Sequence, residues 1–132
     1  MLRDGPIPVF LHGVIEYAAG VLFIVAPLLF DYESGAATGL SVAVGVVILL
    51  VAATSAMPTG IIRKITISAH VALDFVLAAF LIAAPFVFGF SDETEPTAFF
   101  VALGIAHLLI TIGTRFLPAR GEAAAVDEAP RP

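Results

Sequence analysis

Two long apolar runs followed by two more that repeat them leave this chain few folds to choose from. His12, Glu16, Ile24, Ala26, Pro27 and Phe30 recur as His70, Asp74, Ile82, Ala84, Pro85 and Phe88, at an offset of 58 throughout (70−12, 74−16, 82−24, 84−26, 85−27, 88−30). Further on the offset becomes 59, matching Thr38 with Thr97, Val42 with Val101, Ala43 with Ala102, Gly45 with Gly104 and Leu49-Leu50 with Leu108-Leu109. The apolar runs cover roughly 9–30, 37–57, 67–88 and 98–117. A helix needs about 20 residues to cross the hydrocarbon layer, and each run is long enough. The sequence therefore predicts an all-α integral membrane protein with four transmembrane helices, arranged as two tandem helical hairpins in a parallel internal repeat. Repeat one covers about 7–58 and repeat two about 65–118, together one transmembrane domain over 1–118.

Composition agrees. Hydrophobic residues make up 60% of the 132 and charged residues only 13%. A soluble domain carries about 25% charged residues, so this chain has too few to cover a water-facing surface. There is no cysteine, which removes disulfides, thiolate-zinc, iron–sulfur and thioether-haem sites. The net charge of −5 comes mostly from loops and the C-terminal segment, and no basic patch points to nucleic acid. The expected partners are the lipid bilayer and either a second copy of the chain or another membrane protein. The first run does not read as a signal peptide: only Arg3 precedes it, offset by Asp4, and it is too long and carries His12 and Glu16.

Loop charge predicts orientation. The linkers after the first and third runs hold Asp31, Glu33, Asp92, Glu93 and Glu95 and no basic residue. The six basic residues lie before the first run (Arg3), in the central linker (Arg63, Lys64) and at the end (Arg115, Arg120, Arg131). By the positive-inside rule both termini and the central linker face the cytoplasm, in the cell (inner) membrane. Two spans per repeat insert both copies the same way round, related by a pseudo-twofold axis along the membrane normal. Residues 119–132 are small, charged and proline-containing, and are expected to form a disordered cytoplasmic tail.

Small residues mark helix contacts in lipid. Gly35, Gly39 and Ala43 recur at four-residue spacing, as do Ala98, Ala102 and Ala106. Packing within the chain is favoured here over a dimer seam. Pro27 and Pro85 fall near the outer ends of the first and third runs, where a proline removes one helical hydrogen bond and loosens the last turn. The aromatic residues that follow fit an interfacial belt better than a gate.

The only carboxylates inside the apolar runs are Glu16 and Asp74. Each lies four residues beyond a histidine, His12 or His70, hence one turn deeper on the same helix face. A charged carboxylate facing lipid costs about 2.5–3.5 kcal/mol, so both should face the bundle interior. The pseudo-twofold would pair His12 with Asp74 and His70 with Glu16. A structural clamp between the repeats leads, ahead of a proton or ion pathway and then of a metal site using two imidazoles and two carboxylates. His107 has no counterpart, since Ile48 stands at its matched position (107−48 = 59). Nine residues into the fourth run, it is expected near the midplane, too deep to meet His12 or His70, which speaks against a bis-histidine haem. No metal ligand, cofactor or catalytic residue is assigned, and no phosphate loop, nucleophile elbow or His-Glu-x-x-His motif is present.

The two-span unit resembles the SPW-repeat membrane proteins, which carry a Ser-Pro-Trp-like motif late in the first helix of each unit. The matching positions are Ala26-Pro27-Leu28 and Ala84-Pro85-Phe86, with a glycine in the following helix, Gly45 or Gly104. The resemblance covers 7–117. It implies the hairpin fold and a prokaryotic membrane location, and carries no catalytic residues. The expected role is a structural or accessory membrane protein that is not an enzyme. The alternative is a small proton, ion or solute transporter using Glu16, Asp74 and His107.

Overall fold

The computed structural model describes residues 1–118, so the segment 119–132, expected to be a disordered tail, lies outside the described residues. Four helices follow one another: α1 (Val9–Leu29), α2 (Gly35–Thr54), α3 (Ile67–Val87) and α4 (Thr94–Gly113). All four are long and apolar enough to cross a membrane. At 1.5 Å per residue each spans about 30 Å, the thickness of the hydrocarbon layer. Connectivity places the N-terminus, the 55–66 linker and the end of α4 together; this is the basic end, with Arg3, Arg63, Lys64 and Arg115. The loops 30–34 and 88–93 form the acidic end.

The first and third helices stop one residue short of the apolar runs, whereas α2 and α4 start two and four residues earlier and end three and four residues earlier. Two local signals explain the early starts. Ser34 caps α2 by accepting a hydrogen bond from the Ala37 N–H. In α4, Pro96 lies in the first turn, where its missing N–H costs nothing. At the other end the apolar residues left over, Met57 and Phe116, pack against Val71 beneath the bundle instead of extending the helices.

Pro27 and Pro85 lie in α1 and α3, two residues before each helix ends, and both are buried. The turn closes without a break: the Phe30 N–H donates to Ala26 and the Phe88 N–H to Ala84, each at 2.9 Å. The acidic loops are tied across the repeats, because the Glu93 carboxylate accepts from the Ser34 N–H at 2.9 Å and from the Glu33 N–H. Nearby, burial and the charge of Glu93 push the Tyr32 phenol up.

Within each hairpin the helices cross at small residues, but not at those the four-residue spacing suggested. A side chain at Gly45 would collide with the Gly20 carbonyl, and one at Gly104 would lie 3.1 Å from the Ala78 carbonyl. These positions match under the repeat (78−20 = 58, 104−45 = 59). Gly35, Gly39 and Ala43 are exposed on the outer face of α2, as are Ala98 and Ala102 on α4, with Ala106 only partly covered. The intramolecular packing expected for this stripe is therefore corrected. The inward face of α2 is Ala37, Ser41, Val44, Gly45, Ile48 and Ala52, roughly opposite the stripe.

At the acidic end the hairpins meet through Phe23, Leu81, Phe99 and Phe100, with edge-to-face ring contacts such as Phe23–Phe99 at 4.8 Å. At the basic end a short parallel pairing joins Ile7 to Thr114 and Pro8 to Arg115. An isolated bridge joins Ser55 to Ile65. These are the same contact made twice, since 65−7 = 58 and 114−55 = 59. Each repeat's entry segment pairs with the end of the other repeat's second helix, as a pseudo-twofold along the bundle requires.

Candidate functional site

His12 and Glu16 project inward from α1, and His70 and Asp74 from α3, one turn apart on each helix and all buried. Both carboxylates stand seven residues from the start of their helix, hence at equal depth, about 10 Å in. The cross-repeat pairs anticipated from the sequence meet: His12 Nε2 is 3.4 Å from Asp74 Oδ2, and His70 Nε2 is 3.3 Å from Glu16 Oε1. The pairs within each helix are close too, at 3.8 Å for His12–Glu16 and 3.4 Å for His70–Asp74. One ligand-type atom from each of the four residues lies within 4.8 Å of the others.

His107 joins this cluster, which corrects its expected midplane position. Its Nε2 is 3.4 Å from Asp74 Oδ1, and its ring lies 6.4 Å from that of His12. The apolar run starts only at residue 98 and so places His107 too deep. The helix begins at Thr94 and ends at Gly113, so His107 is six residues, about 9 Å, from the basic end. Thr111, one turn beyond, donates from its hydroxyl to Asp74 Oδ2 at 3.4 Å.

Two residues that the sequence reading did not single out orient the imidazoles. His12 Nδ1 is 2.9 Å from Thr114 Oγ1, and His70 Nδ1 is 2.7 Å from Ser55 Oγ. Each hydroxyl gives its proton elsewhere, Thr114 to the Ile110 carbonyl and Ser55 to the Val51 carbonyl, both at 2.6 Å. A hydroxyl has one proton, so each oxygen must accept from the imidazole, and both histidines carry their proton on Nδ1. The signal was available: Ser55 and Thr114 are hydroxyl residues at matched positions (114−55 = 59).

Phe116 closes the basic end, its ring 4.9 Å from that of His12. On the side facing lipid, a groove of about 190 Å³ between α2 and α3, walled by Val47, Val51, Leu73 and Val76, reaches Glu16 and Asp74 at its base. Pro27 and Pro85 are not part of this cluster; they pack near the far end of the bundle.

A pair of repeated helical hairpins with all four helices of spanning length, joined at a buried polar centre, is a small multi-pass integral membrane protein. The family model for the SPW repeat domain matches residues 10–114. The chain belongs to that family, with Ala-Pro-Leu and Ala-Pro-Phe where the motif has Ser-Pro-Trp. No curated protein and no solved structure matches it.

Proposed function

We propose that this protein is a non-enzymatic structural or accessory component of a membrane assembly, seated in the cell membrane with both termini cytoplasmic. The observation that carries this reading is the outward face of α2. Gly39 lies inside a helix, where glycine costs about 1 kcal/mol relative to alanine. Among the described residues, a side chain added there would meet nothing within 4 Å, so their packing makes no use of the glycine. Gly35 is equally open, Ala43 continues the strip, and Ala98 and Ala102 repeat it on α4. Such a surface lets a helix of another protein, or of a second copy, approach closely in lipid.

The transporter reading has less support. Between Glu16 and Asp74 and the acidic end, the interior is occupied by Phe23, Leu81, Phe99 and Phe100 apart from a void of about 40 Å³ lined by Phe23, Leu81 and His107, and the Ser41 hydroxyl is committed to the Phe23 carbonyl at 2.6 Å. The cluster thus sits at the foot of a packed aromatic core.

A photo-crosslinking residue at Gly39 or Ala102 tests the assembly role in native membranes, with Val76, which is 66% exposed on α3, as control. Discrete protein adducts are expected from the first two positions and lipid adducts from the third. Lipid adducts alone from all three would overturn the reading.

A further inference from the structure

We propose that His12, Glu16, His70 and Asp74 form a binding site for one divalent first-row transition-metal ion, with His107 as a fifth ligand. This goes beyond the accessory role, which rests on the outer face of α2 and not on the buried cluster.

The argument starts from the proton positions. Ser55 and Thr114 fix the proton of His70 and of His12 on Nδ1. In the neutral rings each Nε2 then carries a lone pair, and both point into the cluster. They point at carboxylate oxygens, which are acceptors. Two imidazole lone pairs and two carboxylates facing one another repel unless a cation lies between them.

Among the described residues, His12 Nε2, His70 Nε2 and His107 Nε2 are buried without a hydrogen-bond partner, and Glu16 Oε2 likewise. Carboxylate oxygens stand 3.3–3.8 Å away, beyond the usual range of about 2.7–3.2 Å for an N–H···O hydrogen bond. Two imidazole nitrogens and two carboxylates thus crowd one small buried volume, with one ligand atom from each within 4.8 Å of the others.

That spacing suits a metal. Ligand atoms bonded at about 2.0–2.2 Å to a tetrahedral ion are about 3.3–3.6 Å apart along each edge. The four histidine–carboxylate distances are 3.3–3.8 Å, Asp74 reaching His12 through Oδ2 and His70 through Oδ1, and one ligand atom from each residue lies within 4.8 Å of the others, so the set would close on an ion by a small inward movement. Asp74 Oδ1 is 3.4 Å from both His70 Nε2 and His107 Nε2, which puts His107 beside the four-residue set as the candidate for a fifth position. An Nδ1–H held by an oxygen acceptor while Nε2 faces inward is the outer-shell arrangement that orients metal-bound histidines. Charge closes as well: a dication neutralises Glu16 and Asp74 in the middle of a low-dielectric bundle. A mixed imidazole and carboxylate set without sulfur suits zinc, iron, manganese, cobalt or nickel rather than copper(I).

The test uses the full chain in detergent micelles, stripped with a chelator and titrated with Zn²⁺ by calorimetry and with Co²⁺ by visible absorption. One ion per chain is expected, with the d–d bands of a four- or five-coordinate cobalt centre. Thr114→Val and Ser55→Ala keep every ligand and release only the ring orientation, and each should weaken Zn²⁺ binding about 10- to 100-fold. His107→Ala should retain binding while shifting the cobalt bands toward a lower coordination number. Glu16→Gln combined with Asp74→Asn should abolish binding, with helical content by circular dichroism as the check on folding. Should that pair fail to fold, the two hydroxyl variants decide. Absence of saturable binding by the stripped wild type, or equal affinity in Thr114→Val, Ser55→Ala and wild type, would overturn the proposal. Loss of metal binding would leave the crosslinks at Gly39 unaffected, so the two readings fail separately.

Discussion

Ser55 accepts the Nδ1 proton of His70 at 2.7 Å, across the boundary between the two repeats, and hands its own proton to the Val51 carbonyl. Thr114 does the same for His12 and Ile110. Each repeat therefore supplies the residue that orients the other repeat's histidine. The hydroxyls sit where α2 and α4 end, so helix termination and site geometry are one feature.

Removing either hydroxyl should destabilise the bundle even without metal. Ser55→Ala leaves the His70 Nδ1–H buried without an acceptor, at a cost of about 1–3 kcal/mol. Thr114→Val should cost a similar amount through His12. Unfolding of chelator-stripped protein by increasing SDS measures both. Unchanged midpoints for the two variants would mean that the imidazoles find other partners.

Glycines on the two faces of α2 should respond in opposite ways. Gly45→Ala forces a methyl group against the Gly20 carbonyl and the Ile24 backbone, and should cost about 1–3 kcal/mol by prying the hairpin open. Gly39→Ala adds a methyl group in open space and should leave the purified protein unchanged or up to about 1 kcal/mol more stable. Thermal unfolding in one detergent compares them. Equal destabilisation by both would show that the Gly39 face is packed within the chain.

Much of this architecture was legible because lipid makes hydrophobic length a direct ruler. The equal depth of Glu16 and Asp74 followed from the 58-residue offset alone, and their cross-pairing with His70 and His12 from the pseudo-twofold. Two things were not legible. Where α4 begins depends on Thr94, Glu95 and Pro96, polar residues that hydropathy leaves outside a span, and that four-residue difference moved His107 from the midplane into the cluster. Which face of α2 turns inward depends on the approach of Gly45 to Gly20, and spacing alone treats Gly39 and Gly45 alike. The offset did place Ser55 opposite Thr114, but a helix-end hydroxyl has no distinctive signal until its partner is known.

The basic end should be cytoplasmic. The motive is the segregation of Arg3, Arg63, Lys64 and Arg115 from the acidic loops. A cysteine at exposed Ser91 should react with a membrane-impermeant maleimide added to intact cells. One at Ile61, 78% exposed in the central linker, should react only after permeabilisation. The reverse pattern would invert the orientation.

The two repeats should be energetically coupled through the cluster. Glu16 meets His70 and Asp74 meets His12 at 3.3 and 3.4 Å, each carboxylate also lying near the histidine of its own helix. Polar contacts between membrane helices contribute about 0.6 kcal/mol on average and about 1.7 at most. A carboxylate shared by two imidazoles, buried in a low-dielectric interior, belongs near the upper end. Double-mutant cycles on Glu16→Gln with His70→Ala, and on Asp74→Asn with His12→Ala, should give coupling of about 1–2 kcal/mol in each cycle. Leu109→Ala, on the lipid-facing side of α4, should add independently to Glu16→Gln. Run with and without added Zn²⁺, the cycles also separate two origins of the coupling: a direct contact between side chains keeps its value in chelator, and one carried by a shared ion rises when the ion is supplied. Strict additivity in both cycles under both conditions would mean that the helices are held together by the aromatic core alone and that the cluster does not join the repeats.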